Sequence, residues 1–96
     1  MNPRIRALRE DNDFNQTEIA RFLDMSQTGY SKYETGENDI PVSTLIKLSF
    51  FYDASMEYLI GTSEIRQLPK PSPDETKRYR KYRKAFEELK NSHSAK

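Results

Sequence analysis

Small polar side chains with hydrogen-bonding groups are concentrated in residues 25–36, which read MSQTGYSKYETG. Gln27, Thr28, Ser31 and Lys32 surround two tyrosines, and the segment has too few apolar residues for a core helix. A glutamine amide can donate to and accept from adenine, a lysine can donate to guanine, and a threonine methyl can contact the thymine methyl. The side chains of this segment therefore suit the recognition of base edges.

The two tyrosines decide how a helix would present these polar groups. Tyr30 and Tyr33 are three residues apart, so they lie on one face and are predicted to point into the core. Ser26 can cap this helix, and Gly36 can end it. Helical geometry then turns the polar side chains outward, on a ridge narrow enough to enter a major groove about 12 Å wide.

A second short helix is predicted immediately upstream. Asn15 is suited to cap it, and Glu18 at the third position completes a variant of the capping box. Apolar residues supply its buried side, namely Ile19, Ala20, Phe22 and Leu23. Two short helices joined by a three-residue turn, with the small Ala20 at their close approach, describe a helix-turn-helix.

Caps and helical spacing predict further helices on both sides of this pair. Asn2 and Pro3 suit the start of a first helix, Pro41 opens a fourth at a first-turn position, and Ser55 caps a short fifth. Gly61 is well placed to end the fifth helix in a left-handed conformation. Because no alternating strand pattern is present, the predicted fold class is all-α, with five short helices and an additional C-terminal helix.

A proline-rich segment divides the chain into two parts of opposite charge. The run QLPKPSP has three prolines in alternate positions, which favours an extended connector. We predict a helix-turn-helix DNA-binding domain over residues 1–63, a linker over 64–72, and a basic amphipathic helix and tail over 73–96. Residues 1–63 have 6 Lys and Arg against 10 Asp and Glu, a balance of −4, whereas residues 64–96 have 10 against 5, a balance of +5.

The C-terminal helix carries an apolar stripe. Ser72 and Pro73 suit its start, and its pattern continues to about Lys90. The stripe repeats at intervals of three, four and three, at Tyr79, Tyr82, Phe86 and Leu89. Six cations flank it, at Lys77, Arg78, Arg80, Lys81, Arg83 and Lys84. The stripe could dimerise the protein, dock on the same domain or bind another protein, and we favour a dimer or a protein partner.

Aromatic residues on the fourth and fifth helices exceed what five small helices can fully bury. They are Phe50, Phe51 and Tyr58, with the aliphatic Ile60 beside them. This surface could serve for self-association. Alternatively, the same side chains complete the core beneath the C-terminal segment.

The composition excludes several classes of function. There is no cysteine, which excludes disulfides, a thiol nucleophile and thiolate zinc sites, and the only histidine, His93, lies in a polar tail. No apolar run approaches the roughly 18 residues of a membrane span, and the first residues lack a signal-peptide hydrophobic stretch. The lack of both leads us to expect a cytoplasmic location. No paired acid and base in a pocket is suggested, so we expect no enzyme and no cofactor.

Two longer stretches resemble the Xre-type, phage-repressor-like helix-turn-helix family. They are NQTEIARFLDMSQTGYSKYETG and IPVSTLIKLSFFYDASMEYLIG, and the resemblance covers roughly residues 4–61. It implies a five-helix, lambda-repressor-like domain. It also implies residue roles, with Gln27, Thr28, Lys32 and, less strongly, Ser31 reading bases, and with Asn15 and Gln16 contacting phosphate. Arg9 and Glu34 match positions that pair between helices one and three in relatives, and Arg9 is a further candidate for phosphate.

Two positions depart from the expected pattern. The turn of this family usually carries glycine where this chain has Asp24, and a non-glycine residue is disfavoured in the left-handed conformation. Gly29 lies within the reading helix, where it costs about 1 kcal/mol of helix propensity relative to alanine. A close approach of its bare backbone to DNA phosphate and simple drift are two explanations.

These features predict a sequence-specific DNA-binding transcriptional regulator, most simply a repressor that occupies a palindromic operator. Because residues 1–63 are acidic, each monomer should bind double-stranded DNA weakly, so we expect a homodimer at least on DNA. The alternative is an antitoxin or other interaction protein whose C-terminal helix binds a partner protein. The sequence leaves open the operator, the sign of regulation and any inducer.

Overall fold

The computed structural model describes residues 4–94 and contains six helices in that range. In chain order they are α1 (Ile5–Asp11), α2 (Gln16–Phe22), α3 (Gln27–Thr35), α4 (Val42–Tyr52), α5 (Met56–Ile60) and α6 (Pro73–Ser94). The only extended pairing in the described part of the chain is an isolated antiparallel bridge between Ala54 and Gln67. The predicted all-α class is confirmed.

Short polar side chains begin three of the helices as the sequence predicts. Asn15 and Glu18 form a capping box at α2, in which the Glu18 N–H donates to Asn15 Oδ1 at 2.8 Å and the Asn15 N–H donates to Glu18 Oε1 at 2.9 Å. Ser26 Oγ accepts from the Gly29 N–H at 3.0 Å, and Ser55 Oγ accepts from the Tyr58 N–H at 3.1 Å. These caps satisfy backbone donors that the first helical turn leaves free.

Glycine and proline mark helix ends with one small difference. Gly36 and Gly61 end α3 and α5 with φ of 79° and 83°, in the left-handed conformation. Pro41 precedes the first helical residue of α4 instead of occupying its first turn. The predicted start of α1 at Asn2 and Pro3 lies outside the described residues.

The core lies where α1, α2, α4 and α5 meet the inner side of α3. Its fully buried side chains come from each of the helices α1 to α5. The largest are Tyr30, Phe51, Ile5, Leu8, Ile19, Leu48 and Leu59. Phe14, in the turn between α1 and α2, is also buried. Helix α3 therefore rests on a core to which each of the first five helices contributes.

Helix α6 docks on this domain through its aromatic stripe. The Tyr82 ring lies 5.8 Å from Phe22, and the Phe86 ring lies 5.2 Å from Phe51 and 5.6 Å from Phe14, measured between ring centroids. These edge-to-face contacts place the stripe against α2, α4 and the α1–α2 turn. The stripe thus packs on the domain of its own chain, which is one of the three predicted uses, and its use in a dimer or with a protein partner stays a prediction.

Polar contacts accompany the docking of α6. Arg83 Nη1 donates to the Phe51 carbonyl at 2.7 Å, and the Tyr79 hydroxyl donates to Asp53 Oδ1 at 3.0 Å. Phe50 and Phe51 are buried under the C-terminal segment, as one of the two alternatives holds, whereas Tyr58 and Ile60 are half-buried beside the core. The spacing of the aromatic residues identified the stripe, but it could not show whether the stripe packs on its own domain or on another copy of the protein.

The segment between α5 and α6 follows the domain surface. The Ser55 N–H donates to the Arg66 carbonyl at 2.8 Å, and the Ser55 hydroxyl donates to the Ile65 carbonyl at 2.9 Å. Arg4 Nη1 donates to the Ser63 carbonyl at 3.1 Å. These bonds fix the first half of the segment, while the division of the chain into a domain, a linker and a separate tail stays a prediction.

Candidate nucleic-acid interface

Helix α3 turns its central tyrosine into the core and leaves its polar residues at least partly accessible. Tyr30 is 0% exposed, whereas Gln27 and Thr28 are exposed and Ser31 and Lys32 are half-buried. Tyr33, the second tyrosine, is half-buried and packs against the edge of the core. The orientation agrees with that predicted from the spacing of the two tyrosines, although Tyr33 is the less buried of the pair.

The turn between α2 and α3 has the left-handed residue that such a turn requires. Asp24 adopts φ of 59°, and the next N–H, of Met25, donates to the Ala20 carbonyl at 2.9 Å. Asp13 and Asp53 take similar conformations, with φ of 62° and 54°. Aspartate is among the residues that tolerate this region best, so the chain closes three of its turns without glycine.

Gly29 makes close contacts within the protein. A Cβ at this position would lie 3.1 Å from Ser26 Oγ and 3.2 Å from Met25 Cε. The first neighbour is the oxygen that caps α3, and the second is the end of a flexible side chain. The absence of a side chain at Gly29 therefore leaves room for the Ser26 cap of α3. This is a third explanation for the glycine, beside a DNA contact and drift.

An amide bridge joins α2 to α3. Gln27 Nε2 donates to Gln16 Oε1 at 2.5 Å, and Gln16 Nε2 donates to Glu34 Oε1 at 3.1 Å. Gln27 is the first residue of α3, Gln16 is the first residue of α2, and Glu34 lies near the C-terminal end of α3. The three side chains thus connect Gln27, which is predicted to contact DNA bases, and Gln16, which is predicted to contact phosphate, to Glu34 near the C-terminal end of α3.

The same network ends on a buried ion pair between α1 and α3. Arg9 donates to both carboxylate oxygens of Glu34, through Nε at 2.6 Å and Nη2 at 2.9 Å. The Arg9 side chain is 12% exposed and that of Glu34 is 2% exposed. Arg9 Nη1 also donates to the Phe14 carbonyl at 3.0 Å. This bidentate geometry fixes the direction of Glu34, and therefore of Gln16.

Burial and pairing set the ionisation of this cluster. Hydrogen bonding to Glu34 raises the pKa of Arg9 above its ordinary value. Burial alone would raise the pKa of Glu34, but the hydrogen bonds from Arg9 and Gln16 help to outweigh it and hold that pKa below its ordinary value. Burial, with the nearby Tyr52 next in importance, raises the pKa of Tyr30. At neutral pH the cluster is therefore a charged pair beside a neutral phenol.

The predicted phosphate contacts occupy different environments. Asn15 is exposed while its side-chain oxygen caps α2, and Gln16 is half-buried within the amide bridge. The Arg9 guanidinium, by contrast, already bonds to Glu34 and Phe14. Its assignment to phosphate stays a prediction, and its structural role is the one that the geometry supports.

A candidate that sequence reasoning missed is Arg21 on the outer face of α2. It is exposed and borders a surface depression of about 230 Å³, whose other lining residues include Thr17, Asp24 and Gln27. The i, i+4 spacing of Thr17 and Arg21 could have indicated this, because it places both on one exposed face of α2. Arg21 adds a cation beside α3.

The helix-turn-helix family model HTH_3 matches residues 5–59, which is more than half of the chain. The chain belongs to the helix-turn-helix family. Proteins of this family are non-enzymatic DNA-binding regulators, in agreement with the expectation that the chain is not an enzyme.

Curated relatives of this helix-turn-helix chain are bacterial regulators. It is 32% identical to the HTH-type transcriptional regulator ImmR of Bacillus subtilis (strain 168), over 68% of this chain and 51% of the relative. It is 34% identical to the cryptic phage CTXphi transcriptional repressor RstR of Vibrio cholerae, over 64% of this chain and 55% of the relative. An uncharacterized HTH-type regulator from the SPbeta prophage, YonR of Bacillus subtilis (strain 168), is 33% identical over 59% of this chain and 53% of that protein.

These relatives are longer than the matched region. The chain spans about half the length of each of the three. No solved structure matches the chain. Within residues 4–94, none of the helices combines the length and apolar character needed to cross a membrane.

Proposed function

We propose that the protein is a sequence-specific DNA-binding transcriptional repressor that acts in the cytoplasm. The observation that carries the proposal is the orientation of α3, whose Tyr30 is fully buried while Gln27 and Thr28 are exposed. The helix thus offers amide and hydroxyl groups, with the Lys32 ammonium beside them, on a narrow ridge. That chemistry matches the donor and acceptor groups of the major groove. The names of the relatives ImmR and RstR, a regulator and a repressor, support the same function.

The proposed division of labour follows the arrangement of the side chains. Gln27, Thr28 and Lys32 read bases, with Ser31 as a weaker contact. Asn15 and Gln16 contact phosphates and set the depth of α3 in the groove, as phosphate contacts generally fix the register of a protein on a duplex. Because Gln16 bonds to Gln27 at 2.5 Å, a phosphate contact made by the first would also orient the second.

We further propose that the protein binds its operator as a homodimer. A single α3 offers only a few base contacts, and two copies on a palindromic site would place two reading helices about 34 Å apart. Occupation of such a site across a promoter would exclude the transcription machinery. No cofactor is required for this mechanism.

An antitoxin-like function has less support. That alternative needs the stripe of α6 to be available to a partner protein. Tyr82 and Phe86 instead pack on Phe22, Phe51 and Phe14 of the same chain. We therefore propose the repressor function alone.

The test begins with selection of binding sites from a random duplex library with the wild-type chain. Affinity for the selected site and for a scrambled duplex is then measured for Gln27→Ala and Lys32→Ala. Matched controls are Gln67→Ala and Lys77→Ala, which remove an exposed amide and an exposed ammonium away from α3. We expect each α3 variant to lose about 1–3 kcal/mol for the selected site.

The outcome is read as the ratio of specific to nonspecific affinity. The two controls should keep the wild-type ratio, whereas both α3 variants should lower it, and Lys32→Ala should do so without changing the unfolding midpoint. Selection of no preferred sequence, or equal ratios for all four variants, would show that α3 does not read DNA.

A further inference from the structure

The DNA-binding face of the first five helices is poor in available cations. Residues 1–63 contain only six Lys and Arg. Arg4, Arg6 and Arg9 form ion pairs with Glu64, Glu10 and Glu34, respectively, and Lys47 lies 6.0 Å from the Tyr82 ring centroid. Among the described residues this leaves Arg21 and Lys32 near α3. Since phosphate neutralisation supplies much of the affinity for DNA, further cations are needed.

Docking of α6 brings one of its cations to the α1–α2 turn. Phe86 packs edge-on against Phe14 of that turn, with ring centroids 5.6 Å apart. Lys90 lies one helical turn further along α6, and its Nζ is 3.3 Å from the Asn12 carbonyl oxygen and 5.8 Å from the Phe14 ring centroid. Asn12 is only three residues before Asn15, the proposed phosphate contact. The far end of α6 thus reaches the edge of the proposed DNA surface.

The negative charge of the α1–α2 turn explains why a cation at this position would favour DNA binding. Asp11 and Asp13 flank Asn12 and are both exposed, so the turn by itself would repel a duplex. An ammonium held at the Asn12 carbonyl offsets that repulsion. Lysine suits the position because its compact charge and three donors on a flexible stem can serve a carbonyl and a phosphate together.

We propose that Lys90 is a phosphate-contacting residue, and that docked α6 extends the DNA-binding surface beyond the helix-turn-helix. The inference rests on the proposed function. Lys90 meets the backbone next to the phosphates contacted by Asn15 and Gln16, and it adds affinity without adding sequence preference.

The other cations of α6 provide internal controls. Lys77, Lys81 and Lys84 are exposed on the outer side of the helix, away from the stripe that packs on the domain. Lys81 lies between the docked Tyr79 and Tyr82, near α4 and far along the helix from Asn12. Lys81→Gln therefore removes the same charge as Lys90→Gln from the same helix, but away from the proposed contact.

The experiment measures fluorescence anisotropy of the full chain with its selected duplex at several salt concentrations. Each phosphate contact contributes about 0.9 to the slope of log affinity against log salt. Lys90→Gln should reduce the slope by about 0.9 per protomer and weaken selected and scrambled duplexes alike. Lys90→Arg should retain the wild-type slope, and so should Lys81→Gln.

Loss of folded protein cannot imitate this result, because a smaller active fraction shifts every affinity equally and leaves the slope unchanged. The inference is overturned if Lys90→Gln keeps the wild-type slope, or if Lys81→Gln lowers the slope as much. Failure of the wild-type chain to prefer any duplex would instead refute the proposed function, so the two failures are distinguishable.

Discussion

The buried pair of Arg9 and Glu34 offers the sharpest test of how the core supports recognition. Glu34→Gln would leave the Arg9 guanidinium 12% exposed and without its charged partner. Removing one member of a buried pair typically costs about 3–5 kcal/mol. Because Arg9 keeps its bond to the Phe14 carbonyl, we expect the lower end, about 3 kcal/mol. This is a large part of the total stability of a small domain, which is about 5–15 kcal/mol.

The double variant Arg9→Met with Glu34→Leu separates stability from recognition. It removes both charges and fills the space with apolar atoms, so its free energy of unfolding should return to within about 1 kcal/mol of wild type. Gln16, however, loses the acceptor that holds it against Gln27. Ordering each loose side chain on binding costs about 0.5–1.5 kcal/mol, so the preference for the selected duplex should fall about tenfold.

The assay combines urea unfolding with duplex competition for wild type, the single variant and the double variant. Arg6→Met with Glu10→Leu is the matched control, because that pair is exposed and its loss should cost less than about 0.5 kcal/mol. If the double variant recovers both wild-type stability and wild-type duplex preference, the hydrogen bonds that link Glu34 through Gln16 to Gln27 do not position those side chains for DNA binding. A cost below about 1 kcal/mol for Glu34→Gln would refute the energetic reasoning.

Three further predictions concern acid stability, α6 and the reading turn. The pKa of Glu34 lies below its ordinary value of 4.5, so its contribution is complete above that pH and is lost as the pH falls through the depressed pKa. Urea midpoints between pH 6 and pH 3 should therefore fall more steeply for wild type than for the double variant, and parallel profiles would contradict the assignment. Phe86→Ala should cost about 2–3 kcal/mol in urea unfolding, since its half-buried ring contacts Phe14, Phe51 and Tyr52, and a loss no larger than that of Arg80→Ala would contradict the docking. Asp24→Gly should raise the thermal midpoint, with a gain of about 0.5 kcal/mol, because glycine adopts φ near 59° without strain, and a fall would indicate that the Asp24 side chain stabilises the turn.

Local sequence chemistry was sufficient for helix starts and for the orientation of α3. Asn15, Ser26 and Ser55 each accept from a backbone N–H three residues away, so neighbouring residues alone contain the information. The burial of Tyr30 follows from helical periodicity in the same way. The cap bonds lie within one helical turn, and the direction of Tyr30 depends only on the period of its own helix.

The docking of α6 could not be predicted from the same kind of information. A stripe of aromatic residues has the same spacing whether it packs on its own domain or on another copy. The choice was made by apolar surface on α4, where Phe50 and Phe51 are buried, and by Arg83, which donates to the Phe51 carbonyl at 2.7 Å. The amide bridge between Gln16 and Gln27 was likewise beyond reach, because its partners are on different helices.

The attachment of α3 divides its residues between holding the helix and reading DNA. Gln27 bonds to α2, Tyr30 fills the core and Glu34 pairs with α1, and their spacing of three and four residues places all three on one side. Thr28 and Lys32, four residues apart, lie on another side and take no part in these attachments. Substitutions at these two positions should therefore change the preferred duplex with little effect on stability. Gln27 belongs to both groups, so a change there should alter sequence preference and the fit of α3 against α2 together.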